Sequence, residues 1–170
     1  MTKLKISGTI NDSIVDGPGL RFTIFTQGCP HHCPGCHNPQ THPFKGGKTY
    51  PLKKFKKDLT ENPLLYGVTF SGGDPFSQAK ALIPYAKFVK EKGLELACYS
   101  GFLFEQLYSN SVPFARELLQ YVDILIDGKF VLSQKSLDCR FKGSKNQRTI
   151  DVQASLKEGK VILSTNEKWI

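Results

Sequence analysis

The chain has 170 residues and a formal net charge of +8 at pH 7, and 39% of its residues are hydrophobic. This length predicts a single domain, residues 1–170, with a hydrophobic core, and no apolar run is long enough to span a membrane. The first residues contain no apolar segment typical of a secretion signal, so we expect a cytoplasmic protein. No nucleic-acid motif accompanies the positive charge, which therefore favours an acidic protein partner near the site over nucleic acid.

Strands and helices are predicted to alternate along the chain. Residues 21–27 are rich in β-branched and aromatic side chains, and a turn at 16–19 precedes them. The predicted strands are 21–27, 67–70, 94–99 and 122–126, with shorter candidates at 149–152 and 161–163. The predicted helices are 52–59, 76–92, 102–108 and 113–120, and residues 37–50 are predicted to be loop.

This alternation favours parallel β-α-β units and the α/β class. A complete eightfold barrel needs about 250 residues, so we expect an incomplete, open parallel β/α barrel. Ligands of such sheets bind at the carboxyl ends of the strands. The loops that begin at residues 28, 71, 99 and 127 each follow a predicted strand, and we expect them to meet at one site.

Three cysteines, Cys29, Cys33 and Cys36, lie within eight residues directly after the first predicted strand. Thiolates hold iron–sulfur clusters, and a four-iron cluster normally takes four of them. Three thiolates on one loop therefore leave one iron open to a small molecule that can react there. A zinc site with a loop histidine as fourth ligand remains the alternative, and disulfides are disfavoured by the odd number of cysteines.

Other motifs have structural as well as functional interpretations. Gly72 and Gly73 permit a close backbone approach to a ligand or form a tight turn. Asp74 suits the N-cap of the following helix, and Asp127 is a turn residue or a carboxylate that orients a cationic ligand. The polar segment 143–148 is interpreted as a surface loop. The remaining cysteines and the histidines are interpreted as packing or loop residues: Cys98, Cys139, His31, His32, His37 and His42.

The spacing Cys-x₃-Cys-x₂-Cys after a first strand resembles that of the radical S-adenosylmethionine enzymes. Segments 16–21, 27–29 and 36–39 are similar to the activating enzymes of glycyl-radical enzymes. Segments 123–130 and 143–148 resemble the branch that activates anaerobic (class III) ribonucleoside-triphosphate reductase, and the resemblance extends over residues 7–152. An activase of another glycyl-radical enzyme, such as pyruvate formate-lyase, is one alternative. A zinc-stabilised protein-binding module is the alternative outside this family.

The resemblance implies a partial β/α barrel of the radical S-adenosylmethionine type, in which Cys29, Cys33 and Cys36 hold a [4Fe–4S] cluster and S-adenosylmethionine binds its open iron. The residues it implies for cofactor binding are Gly35, His37, Ser71, Gly72, Gly73, Asp74 and Asp127. The residues it implies for binding the partner are Asp16, Gly17, Pro18 and Gly19. Gly35 stands where many relatives have an aromatic residue, and Asp74 where many have glutamate.

The resemblance also implies a reaction. An electron from a low-potential donor, such as flavodoxin or ferredoxin, cleaves S-adenosylmethionine to methionine and a 5′-deoxyadenosyl radical. That radical takes a hydrogen atom from a glycine Cα of the reductase. This oxidoreductase chemistry requires no catalytic side chain beyond the cluster.

Overall fold

The computed structural model describes residues 3–170. The strands are β1 (Lys5–Ser13), β2 (Arg21–Thr26), β3 (Lys48–Thr49), β4 (Gly67–Gly72), β5 (Glu95–Tyr99), β6 (Ile124–Asp127) and β7 (Arg148–Asp151). The α-helices are α1 (Leu52–Thr60), α2 (Ala79–Glu91), α3 (Phe104–Tyr108), α4 (Ala115–Leu119) and α5 (Val152–Glu158). Short 3₁₀ helices occupy Pro39–Thr41, Pro75–Gln78 and Leu132–Gln134.

All seven strands form one open sheet in the order β3-β1-β2-β4-β5-β6-β7. The four central strands β2, β4, β5 and β6 are parallel, whereas β1, β3 and β7 pair antiparallel at the two sides. The predicted α/β class is confirmed, but the sheet is mixed rather than wholly parallel. Residues 128–147 contain only a 3₁₀ helix between β6 and β7, and without a helical crossover the last strand returns antiparallel.

Most predicted elements lie within a few residues of the observed ones, and three were missed: β1, α5 and the two-residue strand β3, which lies in the predicted loop 37–50. The strand β1 was not predicted because its sequence, KISGTINDS, is mostly polar and lacks a hydrophobic run. The helix α5 was also missed. Asp151 is its N-cap, and the Asp151 side chain accepts a hydrogen bond from the Ala154 amide. The strand predicted over 161–163 is wrong, since only an isolated bridge pairs Leu163 with Ile150.

The helices pack against one face of the sheet and create the main core. Side chains alternate along β2, so Phe22 and Ile24 point into this core together with Phe70 of β4. Cys98 of β5 is fully buried in the same layer, which confirms its interpretation as a packing residue. No helix among residues 3–170 has the length and apolar character needed to cross a membrane.

The other face of the sheet carries a second, smaller core around Trp169. This fully buried indole packs with Ala97, Ile124 and Ile126. Its Nε1 donates to Glu95 Oε1 at 3.1 Å, and its ring lies 5.3 Å from the guanidinium of Arg21. The C-terminal segment therefore fills the end of this face at which the parallel strands begin.

Candidate functional site

One cavity of about 520 Å³ lies at the carboxyl ends of β2, β4 and β5. Residues that follow β6 complete its wall, so the loops after all four parallel strands contribute to it. The predicted site residues in its lining are Cys29, Cys33, Cys36, His37, Ser71, Gly72, Gly73 and Asp16. The predicted residues outside its lining are Gly35, Asp74, Asp127, Gly17, Pro18 and Gly19.

A larger hollow of about 700 Å³ lies at the opposite end of the sheet, where the parallel strands begin. Its carboxylates already have partners. Glu95 accepts from Trp169, Asp123 from Lys90 at 2.5 Å, and Asp151 caps α5. We therefore assign the functional site to the smaller cavity, which contains the three cysteines.

The cysteine loop is fixed at its start by backbone hydrogen bonds to the 3₁₀ turn that follows it. The amides of Gly28 and Cys29 donate to the carbonyls of Thr41 and His42, at 2.7 and 3.0 Å. Cys29 is 7% exposed, and burial raises the pKa of its thiol, whereas Cys33 and Cys36 are half-buried. All five cysteines of the chain are free thiols.

The donor set of this loop matches an iron–sulfur cluster. Across residues 3–170, no three His, Cys, Asp or Glu side chains converge closely enough to hold one metal ion. A four-iron cluster is bound with one thiolate per iron, so its thiolates need not converge on one point. Three thiols that line one cavity from a single loop fit such a cluster with one iron left open.

The two glycines after β4 are required by a close approach of two backbones. Gly72 has φ +95°, and a Cβ at Gly73 would lie 2.2 Å from the carbonyl oxygen of Gly28. The amides of Gly73 and Asp74 donate to the carbonyls of Thr26 and Gly28, both at 2.9 Å. These glycines thus hold the turn against the start of the cysteine loop, which is a role that the sequence analysis did not assign to them.

The Asp74 side chain is fully buried and does not line the cavity. It accepts from the Phe76 amide at 3.0 Å, which confirms its predicted role as a cap, here of the 3₁₀ helix Pro75–Gln78. The Ser100 hydroxyl and the Gly101 amide also donate to it. His31 Nε2 lies 2.6 Å from its Oδ2, so this loop histidine has a specific buried partner that its sequence context did not reveal.

Asp127 is fully buried and is bound by Arg148 of β7. The guanidinium donates to both of its carboxylate oxygens, at 3.0 and 2.5 Å, and the Phe104 amide donates at 2.7 Å. These contacts raise the pKa of Arg148, since hydrogen bonds to Asp127 and then to Glu105 favour its charged form. Asp127 is therefore already occupied by a cation of the chain itself.

The segment 143–148 holds the loop that leaves β6, rather than lying free on the surface. Gln147 Nε2 donates to the Gly128 carbonyl at 3.0 Å, and Asn146 Nδ2 donates to the Lys129 carbonyl at 2.8 Å. Ser144 Oγ accepts from the Val131 amide at 3.2 Å. The segment lies at the surface as predicted, with Lys145 and Asn146 exposed, but three of its side chains are committed to residues 128–131.

Phe130, on the loop held by this segment, lines the cavity together with the third cysteine. Its ring contacts the position of Gly143 and is 5.5 Å from the ring of His37. A Cβ at Gly35 would lie 3.3 Å from Phe130 and 2.8 Å from Leu132, and Gly35 has φ +76°. The positive φ favours glycine before Cys36, whereas the close atom of Leu132 belongs to an exposed side chain that can move. Phe130 was not among the predicted site residues, and its sequence signals were its aromaticity after the fourth parallel strand and its place in segment 123–130.

The turn at residues 16–19 lies on the sheet face that carries the core around Trp169. It reaches from the cavity to the end at which the parallel strands begin. Asp16 reaches the cavity, where its Oδ2 accepts from Ser13 at 2.5 Å and from Thr23 at 3.2 Å. The Pro18 carbonyl instead accepts from Arg21, at the end where the strands begin. A Cβ at Gly17 would lie 2.7 Å from Trp169, so this turn packs directly on the C-terminal segment.

Comparison with known proteins agrees with this geometry. The family model described as "4Fe-4S single cluster domain" matches residues 15–150. An anaerobic ribonucleoside-triphosphate reductase-activating protein of Pasteurella multocida is 33% identical over 142 residues, 79% of this chain and 89% of that protein. Proteins of the same name from Escherichia coli and Enterobacteria phage T4 are 30% and 33% identical over 144 residues, covering 79% of this chain and 90% and 85% of theirs.

The chain therefore belongs to the family of 4Fe-4S single cluster domain proteins, which is an iron–sulfur class. Within that class it belongs with the anaerobic ribonucleoside-triphosphate reductase-activating proteins and is an activating enzyme of the oxidoreductase type. The family match ends at residue 150, so the segment that carries Trp169 lies beyond it.

Proposed function

We propose that this protein activates an anaerobic ribonucleoside-triphosphate reductase by reductive cleavage of S-adenosylmethionine at a [4Fe–4S] cluster. The observation that carries this proposal is that the three loop cysteines and the glycine turn after β4 line the same cavity. The curated relatives with this activity in their name cover most of the chain. The open sheet, with four parallel strands and a cavity at their carboxyl ends, supports a partial barrel of the radical S-adenosylmethionine type.

In this proposal Cys29, Cys33 and Cys36 hold the cluster as thiolates. When bound, the cluster and S-adenosylmethionine supply one-electron chemistry: an electron from a low-potential donor cleaves the sulfonium to methionine and a 5′-deoxyadenosyl radical, which takes a hydrogen atom from a glycine Cα of the reductase. The chain itself binds, orients and shields these groups. This chemistry needs no general acid or base.

The glycine turn is the proposed binding site for the amino group of S-adenosylmethionine. The Gly73 amide is already committed to the Thr26 carbonyl, so this turn offers a ligand its carbonyl oxygens and the Ser71 hydroxyl. An ammonium group only donates hydrogen bonds and matches such acceptors. His37, which lines the cavity beside Phe130, is the proposed contact for the adenosyl group.

The turn at 16–19 is the proposed binding site for the reductase segment that carries the glycine. Asp16 lies in the cavity wall, and the preceding Ile14 and Val15 are each 72% exposed. Exposed apolar residues beside a cavity are typical of a surface that binds another chain. The electron donor is proposed to be an acidic protein such as flavodoxin or ferredoxin, since the net charge is +8 and α1 exposes lysines such as Lys53 and Lys56. The five free thiols suit a reducing cytoplasm.

The test combines anoxically reconstituted protein, dithionite, S-adenosylmethionine and a class III reductase. We expect about four irons per chain, 5′-deoxyadenosine, and a glycyl-radical signal in electron paramagnetic resonance. Alanine at Cys29, Cys33 or Cys36 should abolish both products. Alanine at Cys139, a half-buried cysteine outside the cavity lining, is the matched control and should retain them.

Three outcomes would contradict the proposal in different ways. Colourless protein that binds zinc and no iron would favour the zinc-stabilised binding module. Deoxyadenosine without a glycyl radical would retain the chemistry and reject the reductase as partner. A radical formed on pyruvate formate-lyase but not on the reductase would reassign the protein to the other branch of the activating enzymes.

A further inference from the structure

His31, between the first two cysteines of the loop, has its side chain turned into the protein. The side chain is only 6% exposed, whereas the adjacent His32 is exposed. Its Nε2 lies 2.6 Å from Asp74 Oδ2, and its ring packs edge-on against Phe102 with centroids 4.5 Å apart. His31 lines the cavity, and these two contacts fix its ring, and with it the cysteine loop, to the protein interior.

The carboxylate that His31 contacts also holds two other loops. Asp74 has no exposed surface and accepts from the Ser100 hydroxyl at 2.9 Å, from the Gly101 amide at 2.9 Å and from the Phe76 amide at 3.0 Å. The loops after β2, β4 and β5 therefore meet at one buried carboxylate. All three border the cavity.

The space around His31 is shaped for an imidazole. A Cβ at Gly101 would lie 2.3 Å from His31 Cδ2, so the turn after β5 leaves room for the ring only because residue 101 is glycine. His32 then adopts φ +50°, which turns the chain back toward Cys33. The conformation of the loop on both sides of His31 therefore depends on where the imidazole is held.

We propose that His31 is a positioning residue: by its contact with Asp74 it holds the cysteine loop in place, so that Cys29 and Cys33 retain the cluster. The inference rests on the proposed function, since it takes the three loop cysteines as the cluster ligands. A site with three thiolates and one open iron has no fourth protein ligand to retain the cluster when the loop moves. A buried hydrogen bond to a carboxylate limits that movement.

The test compares four variants of the full chain. Gln places its side-chain amide nitrogen near the position of His Nε2, whereas Asn ends near the position of Nδ1 and does not reach Asp74. His31→Gln should therefore preserve the contact, and His31→Asn and His31→Leu should remove it. His32→Asn is the matched control, since His32 is an exposed neighbour on the same loop whose ring pairs with His42, with centroids 5.7 Å apart, and asparagine tolerates its positive φ.

The main measurement is the rate at which reconstituted protein loses iron to a chelator under anoxia. Bound iron and sulfide and the electron paramagnetic resonance spectrum of the reduced cluster are recorded in parallel. We expect His31→Asn and His31→Leu to lose iron about tenfold faster than wild type, the ratio produced by losing one hydrogen bond to a charged group. His31→Gln and His32→Asn should remain within about threefold of wild type. The melting temperature of each metal-free variant separates loss of folding from loss of positioning.

The inference is overturned if His31→Leu retains iron like wild type, if His31→Gln and His31→Asn behave alike, or if His32→Asn loses iron as fast as His31→Asn. Should His31→Leu fail to fold, the Gln and Asn pair still decides the outcome. Failure of the proposed function has a different signature, because wild type would then bind no four-iron cluster, or alanine at all three loop cysteines would leave its iron content unchanged.

Discussion

Replacing Arg148 with methionine should destabilise the protein by about 2–3 kcal/mol, because it removes the cation that pairs with the buried Asp127. Arg148 donates to both carboxylate oxygens, at 3.0 and 2.5 Å, and Asp127 is fully buried. Removing one partner of a buried pair costs about 3–5 kcal/mol. We reduce that figure because the Arg148 side chain is 30% exposed and the Phe104 amide still donates to Asp127.

Urea unfolding of the metal-free protein under reducing conditions measures this loss, and the melting temperature should fall by about 5–10 °C. A double-mutant cycle with Asp127→Asn should give a coupling energy near 2 kcal/mol, about the value for a partly exposed ion pair with two hydrogen bonds. Arg148→Lys should lose part of this energy, since lysine cannot form the paired hydrogen bonds. A coupling below about 0.5 kcal/mol would refute the account of Arg148 as the cation that stabilises the buried Asp127.

Glu105→Gln is the control for this cycle. Glu105 also contacts Arg148, but its side chain is 61% exposed, so the substitution should change stability by less than about 0.5 kcal/mol. The contact lowers the pKa of Glu105 from 4.5. Its small contribution is therefore complete above that pH and is lost as the pH falls through the lowered value, and the Arg148→Met variant should lack this slope.

Three further predictions concern packing. Alanine at Gly73 would place a Cβ 2.2 Å from the Gly28 carbonyl oxygen, whereas alanine at Gly8, the control, meets nothing within 4 Å. Urea unfolding should show that Gly73→Ala lowers the free energy of unfolding by about 3–5 kcal/mol. Equal stabilities of the two variants would contradict the close approach. Trp169→Ala should lower the free energy of unfolding by about 3–5 kcal/mol in the same assay. A loss below about 1 kcal/mol would show that the indole does not stabilise the smaller core around it. Burial raises the pKa of the Cys98 thiol, so in folded, metal-free protein near pH 8 iodoacetamide should modify the half-buried loop cysteines and spare Cys98, as read by peptide mass spectrometry.

The common location of the cysteine loop and the glycine turn could be predicted from sequence, because consecutive parallel strands place their carboxyl ends at one edge of a sheet. The neighbours of Asp74 could not. The aspartate is read as a helix cap from local sequence alone, and nothing in the order of residues shows that His31, 43 positions earlier, would reach it. The pairing of Asp127 with Arg148 could not be predicted either. The intervening segment 128–147 is irregular, and its sequence has no periodic pattern from which the path of the chain could be inferred.

The strand β1 illustrates a different reason for failure. Its residues carry little hydrophobic alternation, and several of them are exposed, so local preference gave no signal. It is a strand because β2 presents a free edge on which it pairs antiparallel through residues 6–13. Whether such a segment forms a strand depends on its tertiary contacts, and these cannot be inferred from a single sequence.

One wall of the cavity is held by backbone contacts and the other by side-chain contacts, and this difference has an evolutionary consequence. The wall formed by the glycine turn and the start of the cysteine loop is backbone against backbone, at 2.2 Å from the Gly73 Cβ position to Gly28 O, and has no space for a new side chain. The opposite wall, at Phe130, is held by replaceable side chains such as Gln147 and Asn146. Mutation can reshape the second wall by single substitutions and cannot do so for the first. We therefore expect descendants of this fold to acquire new partners through the loops after β6, while the cofactor side of the cavity stays the same.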